Sequence, residues 1–172
     1  MNRIVSKLLA TVLLSSGAAA ADLTLTAEGY GPLTFGMPTD QVMRLLHDEK
    51  PYNLAASNAC KQFTPPQLVE AGLSLVVEKQ KLVRIDIDFN TANRETSAKT
   101  DTGIGLGSPE ANVLKAYPDA IIKRNPADPA WHTIVVETPD HSRGLIFETN
   151  GQTVKSIRAG LRNEITSAEG CN

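Results

Sequence analysis

Thr102-Gly-Ile-Gly-Leu-Gly-Ser-Pro-Glu-Ala-Asn-Val-Leu-Lys-Ala-Tyr-Pro118 is the stretch on which the fold reading turns. An echo of it occurs earlier, as Gly31-Pro-Leu-Thr-Phe-Gly-Met-Pro-Thr-Asp-Gln-Val-Met-Arg-Leu-Leu46. Gly36 matches Gly107, Pro38 matches Pro109, Val42 matches Val113 and Arg44 matches Lys115, all at one constant separation. The agreement continues downstream. Gly72-Leu-Ser-Leu-Val-Val-Glu78 and Leu82-Val-Arg-Ile-Asp-Ile87 align with Gly144-Leu-Ile-Phe-Glu-Thr-Asn150 and Val154-Lys-Ser-Ile-Arg-Ala159. The pattern predicts a first repeat over residues 22–89, a polar linker over 90–101 and a second repeat over 102–172. A lone unit of this length buries only a marginal fraction of its surface, so the two are expected to share a core.

Each repeat reads as a helix followed by strands. Pro38 and Pro109 suit a first helical position, where the missing N–H costs nothing. Val42, Leu45 and Leu46 then recur at helical spacing, as do Val113, Ala116 and Tyr117. Ser108 reads as a cap, Glu110 sits well against the helix dipole, and Pro51 and Pro118 mark the stops. Apolar, β-branched runs over 73–77 and 82–89 flank Glu78-Lys-Gln-Lys81 as a hairpin. His132–Glu137, Leu145–Thr149 and Thr153–Ala159 repeat the theme, with Asn150-Gly151 as the strongest turn signal. Cys60–Phe63 and Ile121-Ile122 are shorter strand candidates. In the 82–89 run Val83, Ile85, Ile87 and Phe89 take one face, and Arg84, Asp86 and Asp88 take the other. The expected fold class is therefore α+β: two tandem helix-plus-antiparallel-sheet repeats, helices on the apolar side and the polar side exposed.

Residues 1–21 have the form of a secretory signal. Arg3 and Lys7 supply charge, Leu8 to Leu14 form a short apolar core, and Gly17-Ala-Ala-Ala-Ala21 offers small-residue cleavage sites. The apolar run is shorter than the roughly 20 residues a membrane helix needs, and no cysteine follows the leader to carry a lipid, so no stable membrane anchor is expected. The address is periplasmic or secreted. In that compartment Cys60 and Cys171, the only cysteines, are expected to pair as a disulfide.

Lys and Arg number 17 against 19 Asp and Glu, a formal charge of −2 that becomes more negative when Arg3 and Lys7 leave with the leader. No basic footprint is visible, which argues against nucleic acid. Gly103-Ile-Gly-Leu-Gly107 before a helix has the glycines of a phosphate-cradling loop but not the dinucleotide spacing, and tight turning is the simpler reason for them. His47, His132 and His141 lack metal-ligand spacing, so neither a metal nor a cofactor is expected.

Two chemistries remain. Asp140, His141 and Ser142 contain the letters of a hydrolase, and Asp86 and Asp88 place two carboxylates roughly 7 Å apart on one strand face. A small periplasmic hydrolase using His141 or the Asp86/Asp88 pair is thus the alternative to a binding protein with no catalytic residue. For binding, the mixed-charge face of Arg84, Asp86, Asp88 and Arg158 is the candidate surface. Trp131 reads either as a partly buried cap on the sheet or, with Tyr52, as an aromatic interface anchor.

Gly36-Met-Pro-Thr-Asp-Gln-Val-Met-Arg-Leu-Leu46 resembles the Gly-Met-Thr-x-x-Gln-Val-x-x-x-Leu motif of small bacterial envelope proteins of the BamE (SmpA/OmlA) type. The duplication is similar to that of β-lactamase-inhibitor protein, whose tandem α+β repeats form a concave sheet. The resemblance implies a non-catalytic, protein-binding module, its partner another protein of the envelope or outside the cell.

Overall fold

A computed structural model describes residues 23–48, 60–88, 96–167 and Cys171. The leader, Tyr52, Phe89 and residues 90–95 of the expected linker lie outside the described residues. In chain order the elements are strands β1 (Leu25–Thr26), β2 (Gly29–Tyr30) and β3 (Leu33–Thr34), helix α1 (Thr39–Leu45), strand β4 (Lys61–Phe63), a 3-10 turn at Pro66–Leu68, and strands β5 (Leu73–Glu78) and β6 (Lys81–Asp88). Helix α2 (Glu110–Ala116), strands β7 (Ile121–Arg124), β8 (His132–Glu137), β9 (Arg143–Thr149) and β10 (Val154–Leu161), and helix α3 (Arg162–Thr166) complete the fold.

This architecture corrects the expected fold class. The molecule is mostly β: a three-stranded sheet β1-β2-β3 and a seven-stranded antiparallel sheet ordered β4-β5-β6-β10-β9-β8-β7, with helices of seven, seven and five residues. It is not two helix-plus-sheet repeats. The reason lies in strand edges. Hairpins β5-β6 and β9-β10 would each leave a long edge strand with unpaired backbone groups, and β6 and β10 satisfy one another, from Ser156 opposite Asp88 to Gly160 opposite Arg84. One continuous sheet results, and the three-stranded sheet comes only from the first half of the chain.

The echoed motif has a narrower meaning, as a clip that ties each helix start to a hairpin. Gly36 N–H donates to the Leu82 carbonyl (2.7 Å), Leu82 N–H to Met37 (2.9 Å) and Thr39 N–H to Gln80 (2.9 Å). The second clip repeats this with Gly107 to Val154, Val154 to Ser108 and Glu110 to Gln152. Pro38 and Pro109 are consequently the residues before the helices rather than the first residues in them, with extended ψ of 139° and 137°. Ser108 does not cap α2; its hydroxyl accepts Gly105 N–H (3.0 Å). Hairpin carbonyls receive the first helical N–H groups, so a side-chain cap is not needed there. Helix α1 ends at Leu45, before Pro51, and His47 just past its cap holds a left-handed φ of 49°.

Both helices and the small sheet cover one face of the large sheet. Val42 and Val113, each fully buried, meet Leu73, Leu75, Ile85, Ile87, Leu145, Phe147, Ile157 and Ile134 in one core with Leu25, Leu33 and Phe35. Burial of each such side chain contributes about 1.5–3 kcal/mol, which is what holds seven-residue helices that are too short to persist alone. The described end of the expected linker packs too. Ala98 and Thr100 are buried, and Leu25 N–H donates to the Lys99 carbonyl (2.8 Å).

Candidate functional site

The opposite face of the seven-stranded sheet carries the charged residues, and register decides which of them meet. Residues opposite one another across strands share a face, so Asp86 stands beside Ser74 and Arg158, while Asp88, Ser156, Glu148, Thr133 and Lys123 form a second row across five strands. An open groove of about 920 Å³ runs over these rows, lined by Arg84, Asp86, Asp88, Arg158, Glu148 and Lys123 among others. Four of the five binding residues expected from sequence therefore come together. Trp131 does not line the groove. It is 37% exposed at the turn between β7 and β8, where its carbonyl accepts Asn125 N–H.

The face is not the bare polar surface expected of it. Arg84 and Asp86 are 5% and 4% exposed. The Arg84 guanidinium grips Asp86 with two bonds of 2.7 Å, and Gln62 Nε2 donates to the same carboxylate (3.2 Å). Burial raises the Asp86 carboxyl above the ordinary carboxylate range, with the Arg84 contact opposing that rise. The remaining Arg84 nitrogen donates to the carbonyls of Glu164 (3.0 Å) and Ser167 (3.2 Å). Arg158 donates to Ser167 as well (2.8 Å) and pairs with Glu148 (2.6 Å), which in turn accepts Thr133 (2.9 Å).

What covers the face is α3 and the residue after it. Gly144 and Gly160 lie opposite one another in the same row as Arg84, so the sheet has no side chain there and α3 can lie close. Ile165 then packs on Val135 and Ile146, and Arg162 pairs with Glu137 (3.0 Å). A methyl group on Gly160 would stand 2.3 Å from the Val83 carbonyl oxygen, which explains a glycine at that crossing. The tail is tied down further by the disulfide between Cys60 and Cys171, whose Cα atoms lie 5.0 Å apart and which closes a separation of 111 residues.

Elsewhere the expected chemistry resolves into local structure. His141 Nδ1 contacts Glu137 (2.5 Å), whereas the Ser142 hydroxyl donates to Asp140 (2.8 Å), so these three neighbours do not form a nucleophile–base–orienter relay. Asp140 also accepts Thr138 (2.6 Å) and Ser142 N–H (3.1 Å), and these donors depress its carboxyl well below the usual range. His132 bonds both oxygens of Glu110 (3.0 Å each), and Thr149 donates to the same carboxylate, tying α2 to β8 and β9. Among the described residues no group of three or more His, Cys, Asp or Glu is placed to hold a metal ion.

Compared with protein-family models, curated proteins and solved structures, the chain matches none. No helix among the described residues is long and apolar enough to cross a membrane.

Sequence reasoning missed Gln62, Thr133, Glu148, Ser156 and Lys123. Their only signal is cross-strand register, and the Asn150-Gly151 reading misplaces it slightly. The turn runs over Asn150–Thr153, with Asn150 Oδ1 accepting both Gln152 and Thr153 N–H, and a register shift between Val154 and Ser156 then sets Glu148 beside Ser156.

Proposed function

We propose that the chain is an exported, non-catalytic protein-binding module whose recognition surface is the groove across the seven-stranded sheet. The observation that carries the reading is that four of the groove's charges, Arg84 with Asp86 and Arg158 with Glu148, are already committed to one another. Asp86 is held by Arg84 and Gln62, and Glu148 by Arg158 and Thr133. Such a network presents a fixed pattern of charge to a partner without offering a free base or nucleophile, and fixed complementary charge serves orientation and specificity. The leader-like residues 1–21 and the disulfide support export. The likeness of Gly36–Leu46 to the BamE-type motif supports a partner in the bacterial envelope.

The test exchanges the less deeply buried half of the network while keeping it paired. Mature protein and the variant Glu148→Arg/Arg158→Glu are used to capture partners from the producing cell's envelope fraction, and affinity for the captured protein is measured across salt concentrations. Binding should weaken at least about tenfold, with thermal unfolding little changed. Equal affinity and equal salt dependence in the two proteins would move the site off this face.

A further inference from the structure

Among the described residues the large sheet ends on β4 at one edge and on β7 at the other. At the β4 edge Gln62 is tied to Ser74 and Asp86, Cys60 carries the disulfide immediately before the strand, and Pro65 and Pro66 follow it. At the other edge all four residues of β7 are exposed, including Ile121 at 53% and Ile122 at 48%. Short, charged edge strands resist pairing with copies of themselves, and β7 carries Lys123 and Arg124 after its isoleucines, so a strand that pairs with it has to supply acids as well as apolar side chains.

The backbone of β7 is also set for pairing. Asn125 N–H points inward to the Trp131 carbonyl (2.9 Å), and Lys123 lies opposite Thr133. By strand alternation the backbone groups of Ile121 and Lys123 also face β8, leaving those of Ile122 and Arg124 directed outward. Each side of the strand then carries one isoleucine and one cation: Ile121 with Lys123, and Ile122 with Arg124.

We infer that β7 accepts an extended segment of a partner protein as an eighth, antiparallel strand, the segment reading acid, acid, apolar, apolar from its N-terminus. Antiparallel alignment sets that order against Arg124, Lys123, Ile122 and Ile121, so every cation meets an acid and every isoleucine an apolar side chain. A second copy of this chain is a poorer complement. The self-pairing that uses both outward residues puts Lys123 opposite its own copy and supplies no acid to either cation. Lys123 and Arg124 also border the groove, but the inference rests on the β7 backbone and its side chains and not on the Arg84–Asp86 and Arg158–Glu148 pairs, so either reading can fail without the other.

The experiment uses the mature chain and a synthetic eight-residue peptide with the core Asp-Glu-Val-Ile, followed by isothermal titration and amide exchange. Saturable binding is expected, with new protection of the Ile122 and Arg124 amides. A peptide N-methylated at the two residues that face these positions should bind at least about tenfold more weakly, as should the unmodified peptide on the variant Lys123→Glu/Arg124→Glu. Absence of saturable binding up to roughly 1 mM overturns the proposal. So does binding indifferent to N-methylation, which would reduce the contact to charge alone. Dimerisation of the free chain through β7, seen as concentration-dependent protection of the same amides, would assign the edge to a second copy and overturn it too.

Discussion

Arg84 holds a full charge at 5% exposure, and it can do so because Asp86 and two carbonyls of the α3 segment take up its donors. Removing one member of such a pair strands the other. Arg84→Met should therefore destabilise the fold by about 3–5 kcal/mol, since Asp86 would remain buried without its partner. The double variant Arg84→Met/Asp86→Leu should lose clearly less than the two single losses added together, because each single variant already breaks the shared contact. Urea unfolding of the four proteins measures this cycle, and strict additivity would mean that the pair is not coupled. At this scale the sequence was partly legible. Period two on one strand correctly aligned Arg84, Asp86 and Asp88, but their burial comes from residues about 80 positions later, which no local pattern encodes. Trp131 shows the same limit, since nothing in Asn125–Trp131 states how much of its side chain is left exposed.

At the scale of elements, the hairpins were the readable parts. Glu78-Lys-Gln-Lys81 forms a two-residue turn even though neither central residue is glycine, with φ of 48° at Lys79 and 60° at Gln80. That conformation is costly for side chains, and the α1 clip helps to secure it, because Gln80 supplies the carbonyl that receives Thr39 N–H. The turn between β8 and β9 is built differently, around the carboxylate of Asp140. Its folded pKa lies below its unfolded value, so its stabilising contribution is present above about pH 4 and is lost as pH falls toward the folded value. Asp140→Asn should accordingly flatten the stability profile between about pH 5 and pH 2. Urea midpoints collected across that window check it, and parallel profiles for the two proteins would count against the turn's carboxylate. Helix α3 had no readable signal. Five residues are too few for a helical period, and its position depends on the space above Gly144 and Gly160, which exists only once β9 and β10 are paired.

For the whole molecule, the disulfide is the constraint that joins the C-terminal tail to the start of β4. Closing a separation of 111 residues restricts the unfolded chain, and loop-closure arguments put the effect at about 4–5 kcal/mol. Unreduced protein, denatured, should show no reactive thiol. Reduction should lower the unfolding midpoint by an amount consistent with that range, and should raise amide exchange in α3 before the core strands, because the tail loses its covalent tie. Global loss of protection at one rate in all elements would instead make the disulfide a constraint on the entire sheet.

The sequence by itself determined the local vocabulary. Period two set the shared face of Arg84, Asp86 and Asp88 in β6, and the Gly-x-Pro echo set two equivalent clips. The residue types at Cys60 and Cys171 allowed one intramolecular bond. These are properties of neighbouring residues, or of the only two atoms able to react, so they survive without knowledge of the rest. Tertiary structure alone decided that the halves share one sheet, because edge pairing between β6 and β10 is a choice among distant partners with similar patterns. It likewise decided that the charged face is half covered and that β7 is left open. Burial and exposure are properties of the assembled surface, fixed only when α3 packs over β9 and β10 and the described sheet ends on β7.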